Sequence, residues 1–340
     1  MVVKLNISVF FQSPVNIFIF RHVSPRISRR YLQAIGFLYY LVNRKEKRRI
    51  ARNIRDLLEG SEETRLRKVT RDTFRGIFSH YFEKMCSAFM ETEAIERYVR
   101  QHVTIEGREL LDKALQKGKG CILVTAHWGG VEFIPWLLTV ARYPASIILE
   151  CKTARLAKAF QRHESLVGTE LIIASSYSGS ILVRALQALK SNRVLMTQCD
   201  EVETWHKRRS STVRLFGKSL YFDNTIEIIA KRTGAAVVGA FLERKPDGRY
   251  TLHVEDVSVE RNVASTAREC LGLWEKYVTR APEQWYQWKH WDEMKAPLAP
   301  VDPVRIPMAV PAPSREHIPA AAASFVPIGA VPEAAAIAVA

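Results

Sequence analysis

From about Val103 to Val278, short apolar runs alternate with amphipathic stretches, and this alternation constrains the fold more than any other feature of the sequence. The runs have the length of β-strands, and the stretches between them have helical spacing. Such alternation is typical of an α/β fold, so we expect a mixed central sheet flanked by helices. The predicted strands are Cys121–Ala126, Ser146–Glu150, Leu171–Ala174, Val194–Thr197, Val213–Phe222, Ala235–Leu242 and Tyr250–Val257. The predicted helices are Leu110–Leu115, Val131–Val140, Ala154–Leu166, Ser180–Leu189, Thr225–Arg232 and Ala267–Val278, and Lys245-Pro-Asp-Gly248 predicts a hairpin turn.

Composition divides the chain into three regions. Apolar side chains recur at helical spacing in residues 44–100, and together with the alternating segment they form a predicted main domain, residues 44–295. Residues 1–43 form an N-terminal segment. After Lys295 the chain consists mostly of Pro, Ala and Val, which bury too little surface to offset the entropy of ordering. We therefore expect residues 296–340 to be a disordered tail.

The N-terminal segment combines apolar and basic residues. Leu5–Phe20 carries no charge, but it is shorter than the ~18–20 residues that span a bilayer, and Pro14 interrupts a helix within it. A second apolar patch, Tyr31–Val42, is followed directly by the mainly basic run Asn43-Arg-Lys-Glu-Lys-Arg-Arg49. Aromatic and apolar side chains beside clustered Lys and Arg are typical of a membrane interface, so we expect membrane-associated N-terminal helices. A buried helix with a basic end is the alternative.

The positive charge is concentrated in the same part of the chain. The formal net charge is +15, and residues 21–75 hold sixteen basic side chains against six acidic ones. Charge alone favours a membrane surface, an acidic protein or nucleic acid as partner, or else a solvated face. Because the basic residues adjoin an apolar segment and no nucleic-acid motif occurs, we expect a membrane and no nucleic acid. The five cysteines and the spacing of the histidines predict neither a disulfide framework nor a metal site.

The segment Gly120–Phe133 carries the clearest chemistry. An apolar strand ends just before His127, and Gly129 and Gly130 open the next helix. In α/β sheets ligands bind at the C-terminal edge of the strands, and the imidazole pKa is near neutrality. Glu132 lies five residues beyond His127, where a regular helix would point it about 140° away. We expect the two glycines to let the turn fold the Glu132 carboxylate back onto the imidazole.

A carboxylate on one ring nitrogen would fix the tautomer of the histidine, so that the other nitrogen could take a proton from a hydroxyl. No Gly-x-Ser-x-Gly sequence occurs and no cysteine lies beside His127. Direct attack of an acceptor hydroxyl on a thioester is therefore favoured over an acyl-enzyme. The backbone N–H groups from Gly129 to Val131 are the predicted oxyanion donors. Taken alone, the spacing of His127 and Glu132 also fits a structural histidine.

These residues resemble the lipid A secondary (lauroyl/myristoyl) acyltransferase family, within the glycerolipid acyltransferases that carry His-x4-Asp/Glu after an apolar strand. The resemblance extends from about Leu38 to Lys295. Its blocks are Ile50-Ala-Arg-Asn53 after a basic run, the box at His127, Arg214-Leu-Phe-Gly-Lys218, Ile229-Ala-Lys-Arg-Thr-Gly-Ala235, Arg244-Lys-Pro-Asp-Gly248 and Ala281-Pro-Glu-Gln-Trp-Tyr-Gln-Trp288. The order and spacing of the last three blocks are specific.

The resemblance implies a glycerolipid acyltransferase-like fold and an enzyme on the cytoplasmic face of the bacterial inner membrane. It implies transfer of a fatty acyl chain from acyl carrier protein, as cosubstrate, to a hydroxyl of a lipid A precursor or similar glycolipid, with no bound cofactor. His127 would be the base and Glu132 its partner. Arg162 would contact an anionic head group or the oxyanion, and Asp200 matches the second acidic residue of the family's Asp-x-Asp segment, although Gln198 occupies the first position. A surface position for Arg162 and a loop-capping role for Asp200 are the alternatives.

Two departures from the family pattern leave the acceptor open. Trp128-Gly-Gly-Val131 stands where many members have Gly-Asn-Trp, and Lys289-His-Trp-Asp292 replaces a run of arginines. A lysophospholipid or another membrane lipid is therefore an alternative acceptor for the same chemistry. A basic membrane- or nucleic-acid-binding protein is the alternative of a different class.

Overall fold

The computed structural model describes residues 7–151, 153–173, 181–201, 211–257 and 265–296. Its strands are β1 (Val103–Glu106), β2 (Cys121–Thr125), β3 (Ala145–Leu149), β4 (Glu170–Ile173), β5 (Val194–Gln198), β6 (Ser211–Leu215), β7 (Lys218–Phe222), β8 (Ala236–Arg244) and β9 (Tyr250–Asp256). Seven strands form the central sheet in the order β1-β9-β8-β2-β5-β3-β4, and β6 pairs with β7. All neighbours in the large sheet are parallel except β8 and β9, which are antiparallel. The prediction of an α/β fold with a mixed central sheet is confirmed.

Helices precede the sheet and alternate with its strands, as the spacing of apolar residues predicts. They are α1 (Ile7–Phe11), α2 (Pro14–His22), α3 (Pro25–Val42), α4 (Arg44–Leu57), α5 (Glu63–Phe89), α6 (Thr92–His102), α7 (Arg108–Gln116), α8 (Ile134–Val140), α9 (Ala154–Val167), α10 (Ile181–Lys190), α11 (Thr225–Thr233), α12 (Thr266–Arg280) and α13 (Trp291–Met294). Short 3₁₀ helices occupy Val131–Phe133, Pro282–Gln284 and Trp288–His290.

The central strand β2 is buried along its whole length. Because successive side chains of a strand point to opposite faces, Cys121 and Leu123 pack into one hydrophobic core and Ile122 and Val124 into another. Helices therefore cover both faces of the sheet, which explains why its strands have continuous apolar sequences and not an alternating pattern.

Two details of the predicted strands are corrected. Val213–Phe222 is not one strand but the hairpin of β6 and β7, because Phe216 and Gly217 adopt positive φ angles of 51° and 70° and reverse the chain. The edge strand β1 was not predicted, since its four residues are too few to show a period. The predicted hairpin at Lys245 is confirmed by the antiparallel pairing of β8 and β9. Ala174, Ser180 and, of the predicted tail 296–340, residues 297–340 lie outside the described residues.

The N-terminal helices pack on α5 through aromatic side chains. Phe11 contacts Phe78 and Tyr81, and Phe20 contacts Phe82. The break between α1 and α2 falls just before Pro14, as predicted. Within the described part of the chain, the helices are either too short or too polar to cross a bilayer.

Candidate active site

The register of two parallel strands brings His127 and Asp200 together. Thr125 at the end of β2 pairs with Gln198 at the end of β5, and the N–H of Cys199 donates to the carbonyl of Thr125 at 2.8 Å. His127 and Asp200 each follow two residues after this pair. Both therefore emerge side by side at the C-terminal edge of the sheet, where α/β proteins bind ligands.

Asp200 holds His127 through both its ring and its backbone. The Nδ1 atom of His127 lies 2.9 Å from the Oδ1 atom of Asp200, and the backbone N–H of His127 lies 3.0 Å from each carboxylate oxygen. Asp200 is completely buried and also accepts a hydrogen bond of 2.7 Å from the indole N–H of Trp285. Three donors thus fix the carboxylate, which in turn keeps the proton of the neutral imidazole on Nδ1 and leaves Nε2 as the basic nitrogen.

The expectation that Glu132 folds back onto His127 is wrong. The Oε1 atom of Glu132 lies 3.6 Å from the Nε2 atom of His80 and 3.6 Å from the Nζ atom of Lys84, both on α5. The glycines do bend the chain, but the 3₁₀ helix that follows them directs Glu132 towards α5, and Asp200 already occupies Nδ1 of His127. Glu132 nevertheless lines the same cavity as His127 and acts on it through its charge.

Gly129 and Gly130 lie where a side chain would not fit. Their N–H groups already donate hydrogen bonds, so they are not free to bind an oxyanion. The N–H of Gly129 donates to the carbonyl of Gln284 at 3.0 Å, and that of Gly130 donates to the carbonyl of Leu242 at 2.8 Å. A Cβ atom at Gly129, where φ is +60°, would lie 1.9 Å from the Leu242 oxygen, and one at Gly130 would lie 2.7 Å from the ring of Tyr250. The two glycines therefore allow a close backbone approach, and the prediction that their N–H groups stabilise an oxyanion is corrected.

Arg162 does not face His127. Its guanidinium pairs with Glu91 at 3.1 Å, and both side chains are more than half exposed. The neighbouring residues Phe160 and His163 on the same helix line the cavity beside His127, whereas Arg162 lies on another face of α9.

A cavity of about 490 Å³ extends from His127 beneath α8 and α9. This volume lies within the roughly 300–1,000 Å³ typical of pockets that enclose a small organic molecule. Charged and polar side chains form about half of its wall: Glu46, His80, Lys84, His127, Glu132, Thr139, Glu150, His163, Glu164, Thr169, Gln198, Glu201, Gln287 and Lys289. Apolar side chains contribute the rest, among them Val131, Pro135, Trp136, Ile147, Leu149, Leu156, Phe160, Val167, Leu171 and Met196.

The strand order shows that the cavity is elongated. It reaches Thr139 and Thr169, whose hydroxyl oxygens lie 2.9 Å apart. Thr169 precedes β4, which is three strands away from β2, or roughly 14 Å across the sheet. Thr169 also lies at the N-terminal end of its strand, whereas His127 lies beyond the C-terminal end of β2. A long ligand with both apolar and polar parts fits this shape better than a compact polar one.

The surrounding charges favour the imidazolium form of His127. Burial by itself lowers the pKa of His127, but the carboxylates of Asp200, Glu201 and Glu132 outweigh burial, and the pKa is raised above 6.5. The pKa of His80 is shifted in the opposite direction. Burial, together with the positive charges of Lys84 and Arg244, holds the pKa of His80 well below 6.5, so this second histidine is neutral.

The closing segment of the domain completes the site, and sequence reasoning did not identify its residues as functional. Trp285 anchors Asp200, and the N–H of Tyr286 donates to the carbonyl of His127 at 3.2 Å. The ring of Tyr286 stacks on His80 with the centroids 3.7 Å apart and meets the edge of His127 at 5.2 Å. The sequence feature that pointed to Trp285 and Tyr286 was the block Ala281–Trp288, which resembles the family but suggested no role for its residues. His80, Lys84 and Glu201 gave no such signal.

Comparison with known proteins identifies a family. The model of a family described as bacterial lipid A biosynthesis acyltransferase matches residues 5–291. A search of curated proteins gave no match.

Proposed function

The chain belongs to the bacterial lipid A biosynthesis acyltransferase family, and from this premise we propose that it moves a fatty acyl chain from acyl carrier protein to a hydroxyl of a lipid A precursor or similar glycolipid. The observation that carries the proposal is the His127–Asp200 pair beside an elongated cavity whose wall includes many apolar side chains. The cavity accommodates the acyl chain, and the basic Nε2 atom lies where the thioester must enter.

In the proposed reaction Nε2 of His127 takes the proton of the acceptor hydroxyl while the hydroxyl oxygen attacks the thioester carbonyl carbon. Asp200 stabilises the imidazolium that forms. The tetrahedral intermediate then expels the thiol sulfur of the donor, which takes its proton from Nε2, and His127 returns to its neutral form. The product is an oxygen ester and a free thiol, and the protein itself forms no covalent bond.

Glu132 remains a proposed catalytic residue, with a role that differs from orienting the imidazole. It lines the cavity beside His127, with its carboxylate 3.6 Å from Lys84 and 3.6 Å from the neutral His80. Its charge favours the imidazolium, and its carboxylate is placed to accept a hydrogen bond from the acceptor. The ammonium group of Lys84 brings a positive charge to the same wall, where it can stabilise the oxyanion.

A transfer assay with two donors and two acceptors tests the proposal. Detergent-purified protein receives the same radiolabelled acyl chain on acyl carrier protein or on coenzyme A, together with a lipid A precursor or a lysophospholipid. We expect labelled glycolipid, formed faster from the carrier-protein donor. If the label appeared only on the lysophospholipid, the acceptor would differ from the proposed one but the chemistry would be the same. If no lipid were labelled in any combination, the proposed reaction would be contradicted.

The raised pKa of His127 predicts how activity depends on pH. A general base must be neutral, and the imidazole is protonated below its pKa. Because burial is outweighed by Asp200, Glu201 and Glu132, kcat/KM should fall as the pH drops through a value above 6.5. Initial rates from pH 5 to 9, measured at donor concentrations far below KM, give this acid limb. A rate that stays constant down to pH 5 would contradict a neutral His127 as base.

We also propose that α3 lies on the cytoplasmic face of the inner membrane. Phe37, Leu38, Leu41 and Val42 at the end of α3 are each at least half exposed. They occupy adjacent positions on one face of the helix. The basic helix α4 follows directly, and Lys and Arg near anionic lipid each contribute about 1 kcal/mol. The apolar face and the adjoining charge together fit an anionic lipid surface.

The double substitution Phe37→Glu with Leu38→Glu should weaken binding to phosphatidylglycerol-containing vesicles more than tenfold. Each side chain loses roughly 1.5–3 kcal/mol of apolar burial and gains a charge that anionic lipid repels. Flotation with vesicles at increasing phosphatidylglycerol content measures the partition coefficient. Leu166→Glu is the matched control, because Leu166 is equally exposed but lies on α9. Equal binding of the double variant and the control would contradict the membrane role of α3.

A further inference from the structure

A buried ionic network lies directly behind the turn that carries His127. Glu83 on α5 is fully buried, and its two carboxylate oxygens accept hydrogen bonds from Nε and Nη2 of Arg244 at 2.6 and 3.0 Å. The hydroxyl of Tyr250 donates to the same carboxylate at 3.1 Å. In turn, Arg29 of α3 donates to the Tyr250 hydroxyl at 2.8 Å.

Arg244 reaches from this network to the catalytic turn. Its Nη2 group also donates to the carbonyl of Gly129. Its backbone N–H donates to the side-chain oxygen of Gln284 at 2.9 Å, while the backbone carbonyl of Gln284 accepts from the N–H of Gly129. Arg244 at the end of β8 therefore holds Gln284, the residue that binds the N–H of Gly129, and it directly holds the C=O of Gly129. His127 lies two residues before this point and Glu132 three residues after it.

An ion pair of this kind is weak evidence for a role in stability alone. Removing two charges from water costs about as much as their attraction returns, and apolar residues of similar size often stabilise a fold equally well. What an apolar pair cannot supply is a directed hydrogen bond to the Gly129 carbonyl. The arrangement therefore orients the turn and adds little to the net stability of the core.

We propose that Arg244, held by its buried counter-ion Glu83, is a positioning residue that fixes the Gly129–Gly130 turn and with it the relative placement of His127 and Glu132. The proposal rests on the proposed acyl transfer for its kinetic test. It also predicts a change in His127 itself, which can be observed without activity.

The first experiment compares Arg244→Lys with the wild-type protein in the transfer assay and in circular dichroism melting. Lysine retains the charge opposite Glu83 but lacks the second planar N–H group that reaches Gly129. We expect kcat to fall about 10²-fold with the KM for the acyl donor nearly unchanged, because small displacements of reacting groups cost rates of this order. Arg249→Lys is the matched control, since Arg249 is exposed on the same hairpin and pairs only with Asp247 among the described residues.

A second variant separates positioning from neutralisation of charge. Glu83→Leu combined with Arg244→Met removes both members of the buried ion pair and leaves Arg29 bonded to the Tyr250 hydroxyl, and circular dichroism melting checks that the fold is retained. If Arg244 served only to neutralise Glu83, this pair would restore kcat, and the proposal would be overturned. Positioning predicts that kcat stays low. A folded Arg244→Lys protein with kcat within threefold of wild type would also overturn it.

The third measurement needs no substrate. Titration of the His127 ring by NMR in the wild type and in Arg244→Lys reports the local geometry, since the contact with Asp200 raises the pKa of His127. We expect a lower pKa of His127 in the variant and an unchanged one in Arg249→Lys. An unchanged pKa in both would reject the positioning role. Absence of transfer by the wild type would reject the proposed function alone.

Discussion

Replacement of His127 by alanine should lower kcat for acyl transfer by up to about 10⁴-fold. The imidazole is the proton acceptor in the proposed reaction, and Asp200, which orients it, cannot replace it because its carboxylate is buried behind the ring. The KM for the acyl donor should change little, since the apolar side chains that line the cavity belong mostly to α8, α9, β3, β4 and β5. Single-turnover kinetics with labelled donor measure the chemical step.

His102→Ala is the matched control for this substitution. His102 is a partly buried histidine at the end of α6, where its Nδ1 atom lies 2.9 Å from the carbonyl of Tyr98, and it does not line the cavity. Its loss should leave kcat unchanged. Transfer by His127→Ala at more than a tenth of the wild-type rate, in a protein with an unchanged melting curve, would exclude His127 as the general base.

The location of His127 was predictable because it depends on local signals. The apolar run that ends at Ala126 predicts a strand, and the residue beyond the C-terminal end of a strand in an α/β sheet lies at the edge where ligands bind. Its partner depends on the register between β2 and β5, strands that are separated by some 70 residues of sequence. The spacing of apolar residues along the sequence does not predict that register. Asp200 was therefore reached through family resemblance, and its contact with His127 only through the structure.

The prediction for Glu132 failed for a related reason. The flexibility of Gly129 and Gly130 is a property of the sequence, but the direction of the turn is imposed by Leu242 and Gln284, which accept its two N–H groups. Those contacts come from β8 and the closing segment, more than 100 residues away. A permissive turn allows several directions, and tertiary packing selects one.

Arg162 shows that local spacing alone can exclude a residue from a site. The residues of α9 that line the cavity include Leu156, Phe160, His163 and Val167, which recur every three or four positions. Arg162 lies two positions after Phe160, about 200° around the helix. This angle places Arg162 on the side of α9 that faces away from the cavity, where it pairs with Glu91.

Asp200→Asn should lower kcat by about 10³–10⁴-fold while leaving the fold intact. Asparagine has nearly the same shape and its oxygen can still accept from Trp285, but its amide can present N–H to Nδ1 of His127 and so stabilise the wrong tautomer. The charge and the hydrogen bond that raise the pKa of His127 are both lost, so the acid limb of the pH profile should move to lower pH. The rate at the plateau and the midpoint of this limb are measured in the same titration.

Glu132→Gln is the comparison that decides which carboxylate orients His127. Glu132 influences the imidazole only through its charge, and its contribution is smaller than that of Asp200. Glu132→Gln should therefore move the midpoint of the acid limb less than Asp200→Asn does, whatever its effect on kcat. If instead Glu132→Gln shifted that midpoint and Asp200→Asn did not, Glu132 would have to swing onto the imidazole when substrate binds. The His127–Asp200 pair would then be present only before substrate binds.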